Sequence, residues 1–337
     1  MNGMVRRLKS IALSGAVSLA AMSGALAADV VAKIGHLEST QQSRHVHLEK
    51  VAELVKERTG GAVEFQIFPQ GQLGQQREMT EGVQLGTLEA TVAPAAFLGG
   101  FNPAISVLDI PFLLPDDPAK AQALREGPFG EALCDSFETR GVVCLTLWPN
   151  GRKSFTSNKP IDTMDAFAGQ KFRVMDSNIL IEQFDALGAS AIALPFGELY
   201  TALQTGVVDG EENPLDTIRA MKFYEVQKHL VRSDHGAMED VVLFNPTFWE
   251  SLSEEHRTII EEAFQEVIPD LMAHKAAAVE SAFEEIKAYG LEVSVLSDEE
   301  KAAFREKLYP ATRDVYLERA GEEGAALIEI YEAEYAK

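Results

Sequence analysis

From residue 30 to residue 93, short apolar runs alternate with segments whose apolar residues recur at helical spacing. The runs at 30–34, 63–68 and 90–93 are each followed by Gly or Pro, which is typical of buried strands. Between them, segments 48–55 and 79–85 place their apolar residues along one helical face. This β–α–β–α–β order predicts a mostly parallel sheet with helices on both faces.

A second cycle of the same kind follows a further apolar run at 142–147, which also predicts a strand. Pro149-Asn150-Gly151 then has the composition of a turn. Two strands and two helices follow in alternation, and they are predicted as strands 171–175 and 191–194 and helices 179–187 and 199–203. Because this cycle has apolar positions of its own, the sequence predicts a second α/β domain that begins near residue 151.

Residues 203–214 join two predicted helices. Gly206 is placed to cap the first helix, a very short strand is predicted at Val207–Asp209, and Gly210 is predicted to break it. The amide of Asn213 then lies at a strand end beside a helix start, where α/β proteins tend to bind ligands. A connection without any function accounts for the spacing equally well.

The longest helical pattern runs from 253 to 288 and contains Pro269, which predicts a kink or a break. A continuous helix of this length spans roughly 50 Å, which is long enough to run along two domains.

The first 27 residues have the layout of a secretory signal peptide. Basic residues precede a short apolar stretch of small residues, and Ala25-Leu26-Ala27 is typical of a cleavage site. The apolar stretch is shorter than the roughly 20 residues of a membrane span. We therefore expect an exported protein that is not embedded in a membrane.

Composition narrows the possible partners. The 337-residue chain has a net charge of −22, and removal of the signal segment takes away Arg6, Arg7 and Lys9 but no acid. Such an acidic protein is poorly suited to nucleic acid. Cys134 and Cys144 form a disulfide or remain two buried thiols, because an exported chain permits both and the spacing does not decide.

Arg173 is the first candidate ligand-binding residue. Strand alternation places it on the same face as Lys171 and Met175. A buried guanidinium is costly without an anion, and a ligand carboxylate would pair with it through two hydrogen bonds. The alternative is that Arg173 forms a structural ion pair with one of the many acidic residues, which would also explain a buried arginine in this strand.

Arg152 and Lys153 lie where the first predicted domain gives way to the second, close to an inter-domain cleft. One of them is a candidate for a second contact to an anionic ligand, although two solvated charges are the simpler interpretation. Phe97, Trp148 and Phe196 lie near predicted strand ends and are candidates for apolar pocket walls, or for ordinary core packing.

No assembled catalytic or metal site emerges from the sequence. His45 and His47 are two residues apart, so on a helix they point to different sides and would not converge on a metal. The acidic segment 209–212 has no partner nucleophile. We predict a binding protein without metal or cofactor.

The run Pro195–Pro214 and the strand with Arg173 resemble the matching segments of the DctP-type substrate-binding proteins of TRAP (tripartite ATP-independent periplasmic) transporters. The clearest likeness is the run Pro195–Pro214. Further matching segments cover essentially all of the chain after the signal, and they include the strand with Arg173 and residues 69–74, 156–160, 186–189 and 223–226.

This resemblance implies two α/β domains joined by a hinge, a long helix across both, and a ligand enclosed between the lobes. The expected division is domain I at 28–150 plus 239–278, and domain II at 151–238 plus 279–337. The resemblance also implies that Arg173 clamps a ligand carboxylate with support from Asn213. Lys153 falls on a position that is basic in the sialic-acid branch, and Phe196 falls on a pocket aromatic.

Two departures bear on the ligand. Pro94 occupies the position of a pocket glutamate of the sialic-acid branch, which disfavours sialic acid. Glu38, Phe97 and Phe196 match ligand-contacting positions of the ectoine-binding branch, but Ala237-Met238 replaces its aromatic pair. A complete aromatic box for a cationic ring is therefore not expected.

The sequence thus predicts a periplasmic receptor that carries a small organic or sugar acid to a TRAP membrane permease. In this hypothesis Arg173 and Asn213 hold the carboxylate, with Asn213 as a hydrogen-bond donor, and Glu38 accepts hydrogen bonds at the other end. The remaining predicted contacts are Lys153 or Arg152 to the ligand and Phe97, Trp148, Phe196 and Met238 as walls. Three alternatives are a receptor for ectoine or another zwitterion, a binding module for a sensor kinase, and an exported enzyme that uses segment 209–212.

Overall fold

A computed structural model describes residues 30–335, so the predicted signal segment and its cleavage site lie outside the described residues. Nine strands form one sheet. They are β1 (Val30–Gly35), β2 (Val63–Phe68), β3 (Ala90–Pro94), β4 (Val143–Ser157), β5 (Lys171–Val174), β6 (Ser190–Ala193), β7 (Gly210–Pro214), β8 (His229–Phe244) and β9 (Glu292–Val295).

Eleven α-helices and several short 3₁₀ segments cover this sheet in the described part of the chain. The helices are α1 (Ser43–Arg58), α2 (Gln76–Leu85), α3 (Pro118–Glu126), α4 (Pro128–Asp135), α5 (Asn178–Ala186), α6 (Leu199–Gln204), α7 (Leu215–Ala220), α8 (Pro246–Ser251), α9 (Glu254–Glu266), α10 (Ile268–Tyr289) and α11 (Asp298–Tyr335). None of the described helices is both long and apolar enough to cross a bilayer.

The sheet consists of two parallel groups joined by two long antiparallel strands. Its order is β2-β1-β3-β8-β4-β7-β5-β6, with β9 added beside β8. Strands β1, β2 and β3 form one parallel group, and β5, β6 and β7 form the other. Strands β8 and β4 pair with each other along most of their length, and each also borders one group. The two halves of the molecule are therefore connected through β4 and β8.

Each half has an apolar core of its own. Trp148, Phe244 and Phe264 belong to the core beneath β1–β3, whereas Phe155 and Phe172 belong to the core of the β5–β7 half. Helix α10 contacts α1 on the first side, strand β4 in the middle and α7 on the second side. It therefore spans both halves, as the resemblance implied.

The periodic pattern located most elements of the two cycles correctly, but it was wrong at two turns. Pro149-Asn150-Gly151 lies inside β4, where the register with β8 shifts between Pro149 and Arg152. These residues form a β-bulge, in which Gly151 adopts a positive φ of 90°.

The predicted strand Val207–Asp209 is also wrong, because the strand is β7 at Gly210–Pro214. Gly210 begins this strand instead of breaking it. A Cβ at that position would collide with the carbonyl oxygen of Thr156 and with the ring of Phe172. Glycine is required there by the close approach of a neighbouring strand, which the sequence does not distinguish from a turn.

The long helical pattern at 253–288 is split as the proline predicted. Helix α9 ends at Glu266, and Pro269 stands in the first turn of α10, where its missing N–H leaves no hydrogen bond unmade. The structure also decides the state of the cysteines, since Cys134 at the end of α4 is bonded to Cys144 in β4.

Candidate functional site

A small cavity lies where the two halves of the sheet meet. Its volume is about 20 Å³, and its lining residues come from both parallel groups and from β8. They are Leu37, Glu38, Arg44, Pro94, Phe97, Met175, Phe196, Asn213, Thr217 and Met238. Leu37, Phe97 and Phe196 also line an adjoining cleft of about 270 Å³, so the cavity and the cleft share walls. Five sequence candidates, namely Glu38, Phe97, Phe196, Asn213 and Met238, meet at this place.

Arg173 is a buried cation without a carboxylate partner. Its side chain is 1% exposed, and its Nε and Nη2 donate to the carbonyl oxygen of Leu194 at 3.0 and 2.8 Å. Among residues 30–335, no carboxylate oxygen lies within 4 Å of it. The guanidinium carbon is 5.8 Å from the ring centre of Phe97 and 6.0 Å from that of Phe196. Arg173 therefore lies behind two aromatic walls of the cavity.

Burial lowers the pKa of Arg173 to about 10, although the nearby charges of Glu211 and Glu212 oppose the shift. The guanidinium is thus charged at neutral pH. A buried charge whose only described acceptor is a main-chain carbonyl has the capacity to bind an anion.

Asn213 uses its amide nitrogen within the protein. Nδ2 donates to Oε2 of Glu211 at 2.6 Å, while Oδ1 is buried and has no hydrogen-bond partner among the described residues. The sequence predicted a donor to the ligand carboxylate. Glu211 takes one of the two N–H groups of Nδ2, so the other N–H still allows this role. In addition, the amide oxygen is an acceptor without a partner among the described residues.

Glu38 lies in a cluster of buried charges at another side of the cavity. Its two carboxylate oxygens accept no hydrogen bond in the described part of the chain, and Oε1 is 3.5 Å from Nη2 of Arg44. Arg44 is occupied by Asp240 through contacts of 2.6 and 2.5 Å, and Lys275 is 2.6 Å from Asp216. Among the described residues of this cluster, Asp240 and Asp216 thus already accept a hydrogen bond from a cation, whereas both oxygens of Glu38 remain available for donors.

Burial alone raises the pKa of Glu38, but the positive charges of Arg44 and Lys275 outweigh it and lower the pKa to about 2. A carboxylate acceptor, Glu38, thus lines the cavity, and a cation, Arg173, lies behind its aromatic walls Phe97 and Phe196. Opposite charges at two places suit a ligand that carries an anionic group and also hydrogen-bond donors.

Lys153 does not line the cavity. Its Nζ is 2.6 Å from Oε1 of Glu212, and both side chains are 1% exposed. Glu212 also accepts from Gln183 at 2.6 Å and lies 2.9 Å from Nε2 of His235. Lys153 is therefore occupied by a satisfied internal network and offers no free donor.

The other two sequence candidates also lie apart from the cavity. Arg152 contacts the carbonyl oxygens of Leu114 and Pro115 and lies 3.1 Å from Asp116. Trp148 packs in the first core, and its Nε1 donates to the carbonyl oxygen of Phe264 at 3.2 Å. Arg152 was chosen for its position near the domain change and Trp148 for its position near a strand end, and neither position reveals the direction of a side chain.

Arg44, Asp240 and Lys275 are site-region residues that the sequence did not reveal. Arg44 is on α1, Asp240 on β8 and Lys275 on α10, so up to 231 positions of chain separate residues of one cluster. The spacing of residues along the sequence therefore cannot predict this cluster. The one sequence feature that could have pointed to these residues is the scarcity of cations in an acidic chain, because each cation predicted to be buried is then a candidate for a functional site.

Residues 34–319 match the DctP model, described as "Bacterial extracellular solute-binding protein, family 7". The chain belongs to this family. The resemblance inferred from the sequence is confirmed, and so is the two-lobed α/β fold.

Individual relatives agree with this assignment. The chain is 34% identical over 334 residues to the C4-dicarboxylate-binding periplasmic protein DctP of Rhodobacter capsulatus, covering 98% of this chain and 99% of the relative. A TRAP periplasmic solute-binding protein of Desulfovibrio salexigens, solved with bound orotic acid, is 65% identical with a TM-score of 0.90, covering 91% and 98%. A TRAP protein of Sulfurospirillum deleyianum, solved with bound succinate, is 32% identical with a TM-score of 0.83, covering 91% and 99%. This DctP-family protein is thus a solute-binding protein of the TRAP class.

Proposed function

We propose that this protein binds a planar, N–H-bearing carboxylate of the orotate class between its lobes and delivers it to a TRAP membrane permease. The observation that carries the proposal is the buried guanidinium of Arg173 with no carboxylate partner among residues 30–335. The 65% identical relative that was solved with orotic acid supports the choice of ligand.

The chemistry of orotate suits the arrangement of polar groups. Its carboxylate would pair with Arg173, and its two ring N–H groups would donate to acceptors such as Glu38 and Oδ1 of Asn213. The flat ring would lie against Phe97 and Phe196, which are among the residues shared by the cavity and the adjoining cleft. A dicarboxylate would bring a second negative charge towards Glu38, which disfavours it.

The proposal includes a hinge between the two domains expected from the sequence, 28–150 plus 239–278 and 151–238 plus 279–337. Strands β4 and β8 are the connections that support this idea, since they pass from one half to the other. Closure around the ligand would then report occupancy to the permease. The protein acts in the periplasm after cleavage near Ala27, and it binds its ligand without converting it.

Calorimetric titration at neutral pH tests the ligand class. We expect orotate to bind more tightly than succinate, galacturonate or ectoine, and to raise the melting temperature by the largest amount. Arg173→Gln should weaken orotate binding by more than about a hundredfold, while Arg152→Gln is the matched control because Arg152 lies outside the cavity. Tight binding of succinate or ectoine with no response to orotate would overturn the proposed ligand.

A further inference from the structure

Glu211 and Asn213 share one face of β7, next to the strand that carries Arg173. Glu211 is the register partner of Arg173 in the β5–β7 pair. Its Oε1 accepts from Oγ1 of Thr156 at 2.6 Å, and its Oε2 accepts from Nδ2 of Asn213 at 2.6 Å. Both oxygens of a fully buried carboxylate are thus occupied by protein donors.

These contacts determine the orientation of the Asn213 amide. Above pH 7 Glu211 is mostly ionised, and an ionised carboxylate only accepts hydrogen bonds, so the amide group that faces it must then be the nitrogen. Rotation of the amide by 180° would place Oδ1 against Oε2 of Glu211 at a distance of about 2.6 Å, where two acceptors repel each other. The amide oxygen is therefore left as the acceptor, and it belongs to a residue that lines the cavity and is 1% exposed.

We propose that Glu211 is a positioning residue that makes Asn213 a hydrogen-bond acceptor, so that the site selects carboxylates with an N–H group close to the carboxylate. The inference rests on the proposed function and names a residue that determines its specificity. In orotate, ring atom N1–H is bonded to the carbon that carries the carboxylate. Isoorotate carries the same ring with the carboxylate between a carbonyl carbon and a C–H carbon, so it lacks this neighbouring donor.

The short distance between the two binding groups follows from strand geometry. Asn213 is two residues beyond the register partner of Arg173 on an adjacent strand. Neighbouring strands are about 4.8 Å apart and rise about 3.3 Å per residue. The Cα atoms of Asn213 and Arg173 are therefore about 8 Å apart, which is close enough for one small ligand to reach both side chains.

The test compares two ligands on two variants at pH 8. Glu211→Gln keeps the size of the side chain but offers both a donor and an acceptor, so the amide of Asn213 is no longer held in one orientation. We expect the preference for orotate over isoorotate to fall at least tenfold, with isoorotate affinity changed by less than threefold. Thr156→Val is the matched control, because it removes the other hydrogen bond to Glu211 and should leave the preference intact.

A second measurement reads the amide without any ligand. In the ¹H–¹⁵N spectrum, the Asn213 side-chain resonance, assigned by its loss in Asn213→Ala, should move upfield in Glu211→Gln as the bond to the carboxylate is lost. An unchanged resonance overturns the positioning role, and so does an equal weakening of both ligands, which would mark Glu211 as structural only. Failure of the wild-type protein to bind orotate overturns the proposed function instead, and the spectrum then still decides the role of Glu211.

Discussion

Lys153 and Arg173 are two cations with the same degree of burial, on strands β4 and β5 at either side of β7, yet they serve different purposes. Each is 1% exposed. Lys153 is neutralised by Glu212 at 2.6 Å, whereas Arg173 has a main-chain carbonyl as its hydrogen-bond acceptor. Burial therefore does not distinguish a paired cation from one without a carboxylate partner, and under the proposed function the second kind is the one that binds the ligand.

The difference arises from two adjacent residues of β7. Side chains alternate along a strand, so Glu211 and Glu212 point to opposite faces. Burial raises the pKa of Glu211 to about 7, against its hydrogen bonds from Thr156 and Asn213. Burial alone would also raise the pKa of Glu212. The charge of Lys153 and the hydrogen bond from His235 outweigh it and hold that pKa well below its ordinary value. One face of β7 thus carries a completed ion pair, and the other carries Glu211 beside Arg173, for which the described residues provide no ion pair.

The largest expected effect comes from breaking the completed pair. Lys153→Met leaves Glu212 as a buried charge without its cation, which costs about 3–5 kcal/mol of unfolding free energy. Urea denaturation followed by circular dichroism measures this loss. The Lys153→Met/Glu212→Gln double variant should recover part of it, and unchanged stability with lost ligand binding would assign Lys153 to the ligand site instead.

The second prediction concerns Arg173. Arg173→Met should weaken orotate binding by about 3 kcal/mol, or more than a hundredfold, because the ligand carboxylate loses its buried cation. Unfolding free energy should change by less than about 1 kcal/mol or even rise, since no described carboxylate is left unpaired. Calorimetry and urea denaturation on the same preparation separate the two quantities, and a large loss of stability would show that Arg173 is structural.

The third prediction follows from the titration of Glu211 in the ligand-free protein. Its folded-state pKa, about 7, exceeds its ordinary value of 4.5, so the folded state binds the proton more tightly than the unfolded state. The resulting stability is present below pH 4.5 and is lost as pH rises through 7, by between about 1 and 3 kcal/mol. Denaturation measured from pH 4.5 to 8.5 should show this decline.

Glu211→Gln should remove the upper part of that decline. Burial also raises the pKa of Asp109 to about 6. Its contribution to stability therefore also declines as pH rises, but at lower pH than that of Glu211. Asp109→Asn is therefore the control that separates the two contributions. A Glu211→Gln variant whose stability declines as steeply as the wild type between pH 6 and 8 would contradict the assignment.

The smallest effect is expected at Arg152, the neighbour of Lys153 in sequence. Its side chain is 21% exposed and its carboxylate partner, Asp116, is 69% exposed. Such a pair contributes about 0–1 kcal/mol to stability. Arg152→Ala should therefore leave both orotate affinity and urea midpoint almost unchanged, and a loss of affinity above tenfold would bring Arg152 back into the ligand site.

Most of the regular elements were predictable because their information is local. Strands and helices follow from periodicity over a few residues, as at β2 and α1, and Pro269 divides the long helical pattern for a reason confined to its own backbone. The failures at Gly151 and Gly210 have the opposite origin. A β-bulge requires glycine at position 151, and the close approach of a neighbouring strand requires it at position 210. Both requirements depend on residues distant in sequence.

For this protein the sequence alone determined the two α/β cycles, the export signal as an expectation, and the family resemblance that directed attention to Arg173 and Asn213. Only the tertiary structure decided which polar groups are paired. It paired Lys153 with Glu212 and Arg44 with Asp240. Within residues 30–335 it left Arg173 without a carboxylate partner and Oδ1 of Asn213 without a hydrogen bond. The reason is that a charge acts over a few ångströms of space, and the partners that satisfy it come from strands and helices far apart along the chain.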